Sequence, residues 1–94
     1  MNFKIEHVGS QIEITLGEGI SIRDAAEFHG AVRAAMTNGG QVCIRAEAVK
    51  SIHTSIFQIL LSLRQGTEAF YVLDPSSAFA AAEQLMGVKF RRAM

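Results

Sequence analysis

The octapeptide SIHTSIFQ, residues 51 to 58, sets two hydroxyl side chains, Thr54 and Ser55, behind a histidine and ahead of a strongly apolar run. Such a hydroxyl has three chemical uses. Ser55 followed by Gln58 has the Ser-x-x-Gln spacing of a capping box, which closes free backbone N–H groups at a helix start and stabilises it by about 1 kcal/mol. The same N–H groups and the helix dipole favour a negative charge by roughly 0.3 to 2 kcal/mol, so a cap and a seat for a phosphoryl group are compatible. The third use pairs Ser55 as nucleophile with His53 as its base. Side chains two positions apart rarely face one another productively, and the chain has neither a Gly-x-Ser-x-Gly turn nor a carboxylate evidently placed to orient the imidazole. No enzymatic activity is expected.

The remaining polar groups form no constellation. His7 falls on an alternating segment that reads as a strand and His29 at the edge of an apolar helical stripe, and no His or Cys spacing supports a metal site. Cys43 is the only cysteine, which rules out a disulfide framework within the chain. The segment GEG, residues 17 to 19, is too short for a phosphate loop and lacks the Lys-Ser or Lys-Thr pair that follows one. No cofactor and no metal are expected.

Around these residues lie 94 positions, 49% of them hydrophobic, enough for one domain spanning residues 1–94. Nine basic residues balance nine acidic ones, so no excess positive field is available to hold a nucleic-acid backbone. No apolar run approaches the roughly 18 to 20 residues needed to cross a bilayer, and MNFKIEHV lacks the order of a secretory signal. A cytoplasmic protein without membrane insertion is expected.

The elements that must position the hydroxyls follow from periodicity. FKIEHV (3 to 8) and QIEITL (11 to 16) alternate like strands, with Gly9 and Ser10 as the hairpin turn. Ser21 with Asp24 resembles a capping box, so a first helix should begin there, its inner stripe made of Ile22, Ala25, Val32 and Met36 with Phe28 and Ala35 beside it. NGG (38 to 40) should end that helix. QVCIRA (41 to 46) reads as a third strand, Ser55 to Gln65 as a second helix and AFYVLD (69 to 74) as a fourth strand. Asp74 is expected to cap a third helix that opens on Pro75, carries Ala78, Ala82 and Leu85 inward with Phe79 and Met86 alongside, and stops at Gly87. The order ββαβαβα implies an α/β fold with a mixed four-stranded sheet and packed helices.

The second helix is apolar over more than half its circumference, through Ile56, Phe57, Ile59, Leu60, Leu61 and Leu63; Gln58, Ser62 and Gln65 form its polar stripe. A helix on one face of a sheet needs a narrower apolar arc, and the surplus is met either by neighbouring elements or by a partner protein. Arg64 sits within that arc, where it could rim a contact patch.

The stretch QVCIRAEAVKSIHTSIFQILLSLRQGTEAFYVLDPSSAFAAAEQLMGV resembles the STAS domain, the module shared by sulfate transporters and anti-sigma factor antagonists. That family's pattern is an apolar strand, a short link, then Asp-Ser-Ser-Gly or Asp-Thr-Ser-Gly opening an apolar helix; Ile52, His53, Thr54, Ser55 and Ile56 occupy it here. ITLGEGISIRDAAEFHGAV is more loosely similar to the family's strand, turn and first helix. Three departures stand out: His53 where the family usually has aspartate, Ile56 where it has glycine, and Arg45 where an acidic residue is common. Many relatives also continue past the segment corresponding to VKFRRAM through another strand and helix.

The resemblance implies a STAS-like fold and a bacterial, non-enzymatic module of signal transduction. As in stand-alone anti-sigma factor antagonists, the second hydroxyl, Ser55, would be the phosphoacceptor candidate, with Thr54 beside it. The partner would be an anti-sigma factor that is also a serine kinase, or a related ATP-binding regulator, docked on His53, Thr54, Ser55, Ile56, Phe57 and Arg64. A homodimer is compatible with such a module. The alternative is a non-phosphorylated STAS adaptor, such as the small subunit of a lipid-transport ATPase, using the same surface as a permanent contact.

Overall fold

Alternation of apolar and polar residues sets the first two strands, β1 (Phe3–Val8) and β2 (Gln11–Leu16), whose inward set Ile12, Ile14 and Leu16 is buried. They pair antiparallel, with Phe3 opposite Leu16 and Val8 opposite Gln11, and Gly9 makes the turn at φ 62°, the left-handed conformation that glycine adopts without a Cβ penalty. These features come from a computed structural model that describes residues 2–36, 41–67 and 69–92.

Two short strands that periodicity does not reveal follow: β3 (Gly19–Ile20) and β5 (Ser51–Ile52) pair parallel as a separate two-stranded ladder. Each has two residues, too few for an alternating pattern. Between them come α1 (Ala25–Ala35) and β4 (Gln41–Arg45); after them come α2 (Thr54–Gln65), β6 (Phe70–Leu73) and α3 (Ser77–Met86). The main sheet has the order β1-β2-β4-β6, with β2, β4 and β6 parallel, so the mixed four-stranded sheet and its three helices match the expected fold class. Phe28 and Val32 of α1, Ile56, Phe57, Leu60 and Leu63 of α2, and Phe79 of α3 share one core with Ile14, Ile44 and Val72 of the sheet.

The Ser21–Asp24 capping box is present: the Asp24 carboxylate accepts from the Ser21 backbone N–H at 2.9 Å, and this bond with that from the Asn2 amide holds its pKa below the usual carboxylate range. It opens a 3₁₀ turn at Ile22–Asp24 rather than α1 itself. Three residues per turn instead of 3.6 rotate Ile22 off the inner stripe, and it is 60% exposed rather than buried. The NGG segment lies outside the described residues.

Asp74 does not cap α3. It takes a left-handed conformation at φ 45°, and the cap is Ser76, whose hydroxyl accepts from the Phe79 N–H at 3.1 Å. Gly87, at φ 71°, ends the helix as expected. The inner face of α3 is also turned relative to its expected stripe: Phe79 and Glu83 are buried, whereas Leu85 is 89% exposed. Phe79, packed on the Phe57 and Phe90 rings, and Glu83 fix this phase together. The polar half of the pair is Glu83. Its carboxylate accepts from the Phe90 N–H at 2.8 Å and pairs with both terminal nitrogens of Arg92, which satisfies a charge that would otherwise be costly to bury. Two positions on, Leu85 lies about 200° around the helix and must point outward.

Candidate functional site

The link over residues 46–50 returns the chain to the end of α2 that carries the hydroxyls. Lys50 and Ser51 both donate their N–H groups to the Glu18 carbonyl, at 2.8 and 3.0 Å, and the His53 N–H donates to the Ile20 carbonyl at 3.2 Å. The β3–β5 ladder is therefore the bracket that sets where α2 begins.

His53, in extended backbone conformation at φ −75° and ψ 146°, is the N-cap. Its Nδ1 accepts the Ser55 N–H at 3.1 Å and lies 2.9 Å from Ser55 Oγ. Ser55 is thus inside the first turn of α2, not its cap, and the proposed Ser55–Gln58 box is replaced by a histidine cap. An Nδ1 that accepts the Ser55 N–H presents its lone pair on that side, and the Ser55 hydroxyl lies within hydrogen-bond distance of the same nitrogen. Contrary to the expectation from spacing, His53 and Ser55 do face one another. One lone pair is divided between a backbone N–H and the hydroxyl, and the contact is exposed to solvent. This arrangement aims the Ser55 hydroxyl and closes the helix end.

His53 and Thr54 are exposed and Ser55 is partly so. Ile56 and Phe57 are not available to a partner: they are 0% and 1% exposed, Phe57 packing on the Phe79 and Phe90 rings at 5.4 and 5.3 Å. The surplus apolar arc of α2 is met largely within the chain, since α1 packs against it, Phe79 of α3 and Phe90 pack on its Phe57, and Ile59 and Leu61 are partly buried against the core. Arg64 lies nine residues beyond Ser55, roughly 14 Å along the helix, with its guanidinium 5.3 Å from the Phe90 ring centre. It does not belong to the patch around His53.

The apolar surface beside the hydroxyls comes instead from α3 and β5. Ile52, Thr54, Ala82, Leu85 and Met86 line a small cleft, about 60 Å³ in volume, floored by Phe57. Leu85, the most exposed large hydrophobic residue there, is placed inward by its spacing alone; what turns it out is the burial of Phe79 and Glu83, the latter depending on Arg92, nine residues on.

His7 and His29 form no metal cluster with other ligands: among the described residues no group of three or more His, Cys, Asp or Glu side chains could hold a metal ion. Cys43 is buried on the sheet face away from the helices, and burial, then the Glu13 carboxylate, pushes its thiol pKa up, away from the reactive thiolate. Arg45 on the same face donates Nε–H to Glu13 at 2.8 Å. No helix of the described residues is long and apolar enough to cross a membrane.

No family model matches the chain, and no curated protein matches it. Solved structures do. The anti-sigma factor antagonist SpoIIAA in its unphosphorylated form superimposes with a TM-score of 0.80 at 18% identity, covering 92% of this chain and 81% of that one. A serine-to-glutamate variant of RsbS from Moorella thermoacetica gives a TM-score of 0.79 at 16% identity, over 100% of this chain and 87% of its own. The Bacillus cell fate determinant SpoIIAA in the phosphorylated form gives 0.75 at 18% identity, over 92% and 84%. The fold implied by the resemblance is the fold observed.

Proposed function

We propose that this protein is a non-enzymatic regulatory module that exchanges protein partners through the N-terminal end of α2, with Ser55 as the point of control. The observation that carries the reading is the aimed, partly exposed Ser55 hydroxyl, held by His53 at a helix start beside an exposed apolar cleft. The fold shared with SpoIIAA, known in unphosphorylated and phosphorylated forms, supports it. The departure at Ile56 is no obstacle, because that side chain enters the core and leaves the face above Ser55 open.

Docking then rests on His53, Thr54 and Ser55, with Ile52, Leu85 and Met86 supplying apolar contact. The partner is an anti-sigma factor with serine-kinase activity or a related ATP-binding regulator, and the setting is the bacterial cytoplasm. Phosphorylation adds nearly two negative charges at the rim of that contact, and each 1.4 kcal/mol lost on docking is tenfold in affinity. Unmodified protein binds; modified protein is released.

Incubation with a candidate kinase and ATP, followed by intact-mass measurement, should place one phosphoryl group on the protein and none on Ser55→Ala. Ser55→Asp should bind the partner at least tenfold more weakly while Ser55→Ala retains binding, and Leu85→Glu should weaken it without loss of fold. Equal affinity for Ser55→Asp and the parent protein overturns the charge-operated switch. Stable co-purification with a transport ATPase and no phosphorylation would establish the permanent adaptor instead.

A further inference from the structure

The opposite end of α2 carries a second surface. The chain is electrically balanced as a whole, yet an open groove of about 550 Å³ between the end of α2, β6 and the C-terminal segment is lined by Arg64, Lys89, Arg91 and Arg92, with Phe70 and Phe90 at its base. Arg92 is engaged by Glu83. Arg64, Lys89 and Arg91 have no carboxylate within ion-pair distance among the described residues.

These cations are held in place rather than dangling from a tail. The Val72 N–H donates to the Arg91 carbonyl at 2.7 Å, so residues 91 and 92 run beside β6 as an added edge. Glu83 grips the Phe90 N–H and the Arg92 guanidinium. Extended alternation then turns Phe90 inward, where it is 1% exposed, and leaves Lys89 and Arg91 outward. The Arg64 and Arg91 guanidinium groups lie over the Phe90 and Tyr71 rings at 5.3 and 5.7 Å. A guanidinium held over a ring still has N–H donors with which to meet a carboxylate.

We propose that this groove docks an acidic segment of a protein partner, its carboxylates meeting Arg64, Lys89 and Arg91. Three cations on a balanced chain are too few for a nucleic-acid backbone, whose affinity scales with the number of phosphates neutralised. The groove is far larger than a single phosphate and runs along a sheet edge, which suits an extended chain with spaced charges. It lies roughly 14 Å from Ser55 along α2, so this surface and the Ser55 switch fail or succeed separately.

The test is a two-dimensional amide NMR titration of the whole protein with a hexaglutamate peptide at low ionic strength, alongside inorganic pyrophosphate and a single-stranded oligonucleotide. The expected result is peptide-induced shifts confined to residues 64 to 67, 70 and 88 to 92, weakened roughly tenfold in Lys89→Gln/Arg91→Gln and suppressed by 0.5 M salt. Lys89→Gln alone, at an exposed position, should weaken binding about threefold with an unchanged spectrum in the core. Absence of shifts at millimolar peptide, shifts centred elsewhere, unaltered affinity in the double variant, or tighter binding of pyrophosphate or the oligonucleotide than of the peptide each overturns the proposal.

Discussion

His53 occupies a position where a short oxygen side chain is the usual helix cap, and it does the same work with a ring nitrogen, accepting the Ser55 N–H at 3.1 Å. What differs is reach: the same Nδ1 also holds Ser55 Oγ, so the cap and the orientation of the Ser55 hydroxyl depend on one lone pair. His53→Ala should lower stability by about 1 kcal/mol in urea denaturation, whereas His53→Asp or His53→Asn should hold it within a few tenths. If Ala and Asn variants unfold at the same urea concentration, the imidazole is not a functioning cap. The histidine was visible in the sequence, but its role was not: two residues of separation says nothing about facing until the backbone at residue 53 is known to be extended and residue 55 helical. The misassigned Ser55 and Asp74 caps share this cause, since any short polar residue ahead of an apolar run satisfies the pattern and only backbone dihedrals select among them.

At the scale of elements, the phase of α3 is set from outside the helix. Its alanines give no preferred face, and Phe79 and Glu83, one turn apart, choose the inward one together, Phe79 on the Phe57 and Phe90 rings and Glu83 through the Phe90 N–H and Arg92. Removing Arg92 leaves the Glu83 carboxylate, whose side chain is 4% exposed, without its counter-charge. Arg92→Ala should therefore cost about 2 kcal/mol, below the figure for a fully buried pair because Arg92 is itself one-third exposed. Thermal unfolding measures the loss, and amide NMR should show it concentrated at residues 88 to 92. Recovery in Arg92→Ala/Glu83→Gln would identify the stranded charge as the cause. The β3–β5 bracket is the other feature of this scale. Two residues per strand carry no periodic signal, yet their pairing decides where α2 starts.

Across the whole molecule, Phe57, Phe70, Phe79 and Phe90 join α2, β6, α3 and the C-terminal segment into one aromatic cluster, with neighbouring ring centres 5.3 to 6.1 Å apart. Phe57 touches two of these rings, so Phe57→Ala should destabilise by about 3 to 5 kcal/mol. Denaturant titration distinguishes this from a docking defect: a variant that stays as stable as the parent but loses its partner would place Phe57 on a surface after all. Leu85→Glu, at a position 89% exposed, is the converse case and should leave the unfolding midpoint nearly unchanged.

The sequence by itself determined the strand and helix order of the main sheet, the hairpin turn at Gly9, the Ser21–Asp24 box, the stop at Gly87 and the hydroxyl pair at the head of α2, because each depends on residues within a few positions of one another. Tertiary structure alone decided which apolar residues stay outside, which histidine caps, and that Arg64 belongs to a different surface from Ser55. Those outcomes turn on partners as far off as Glu83 from Arg92 or Ile20 from His53. Local patterning ranks the faces of an element, but long-range hydrogen bonds and ring contacts fix its rotation, and rotation is what separates core from exposed surface.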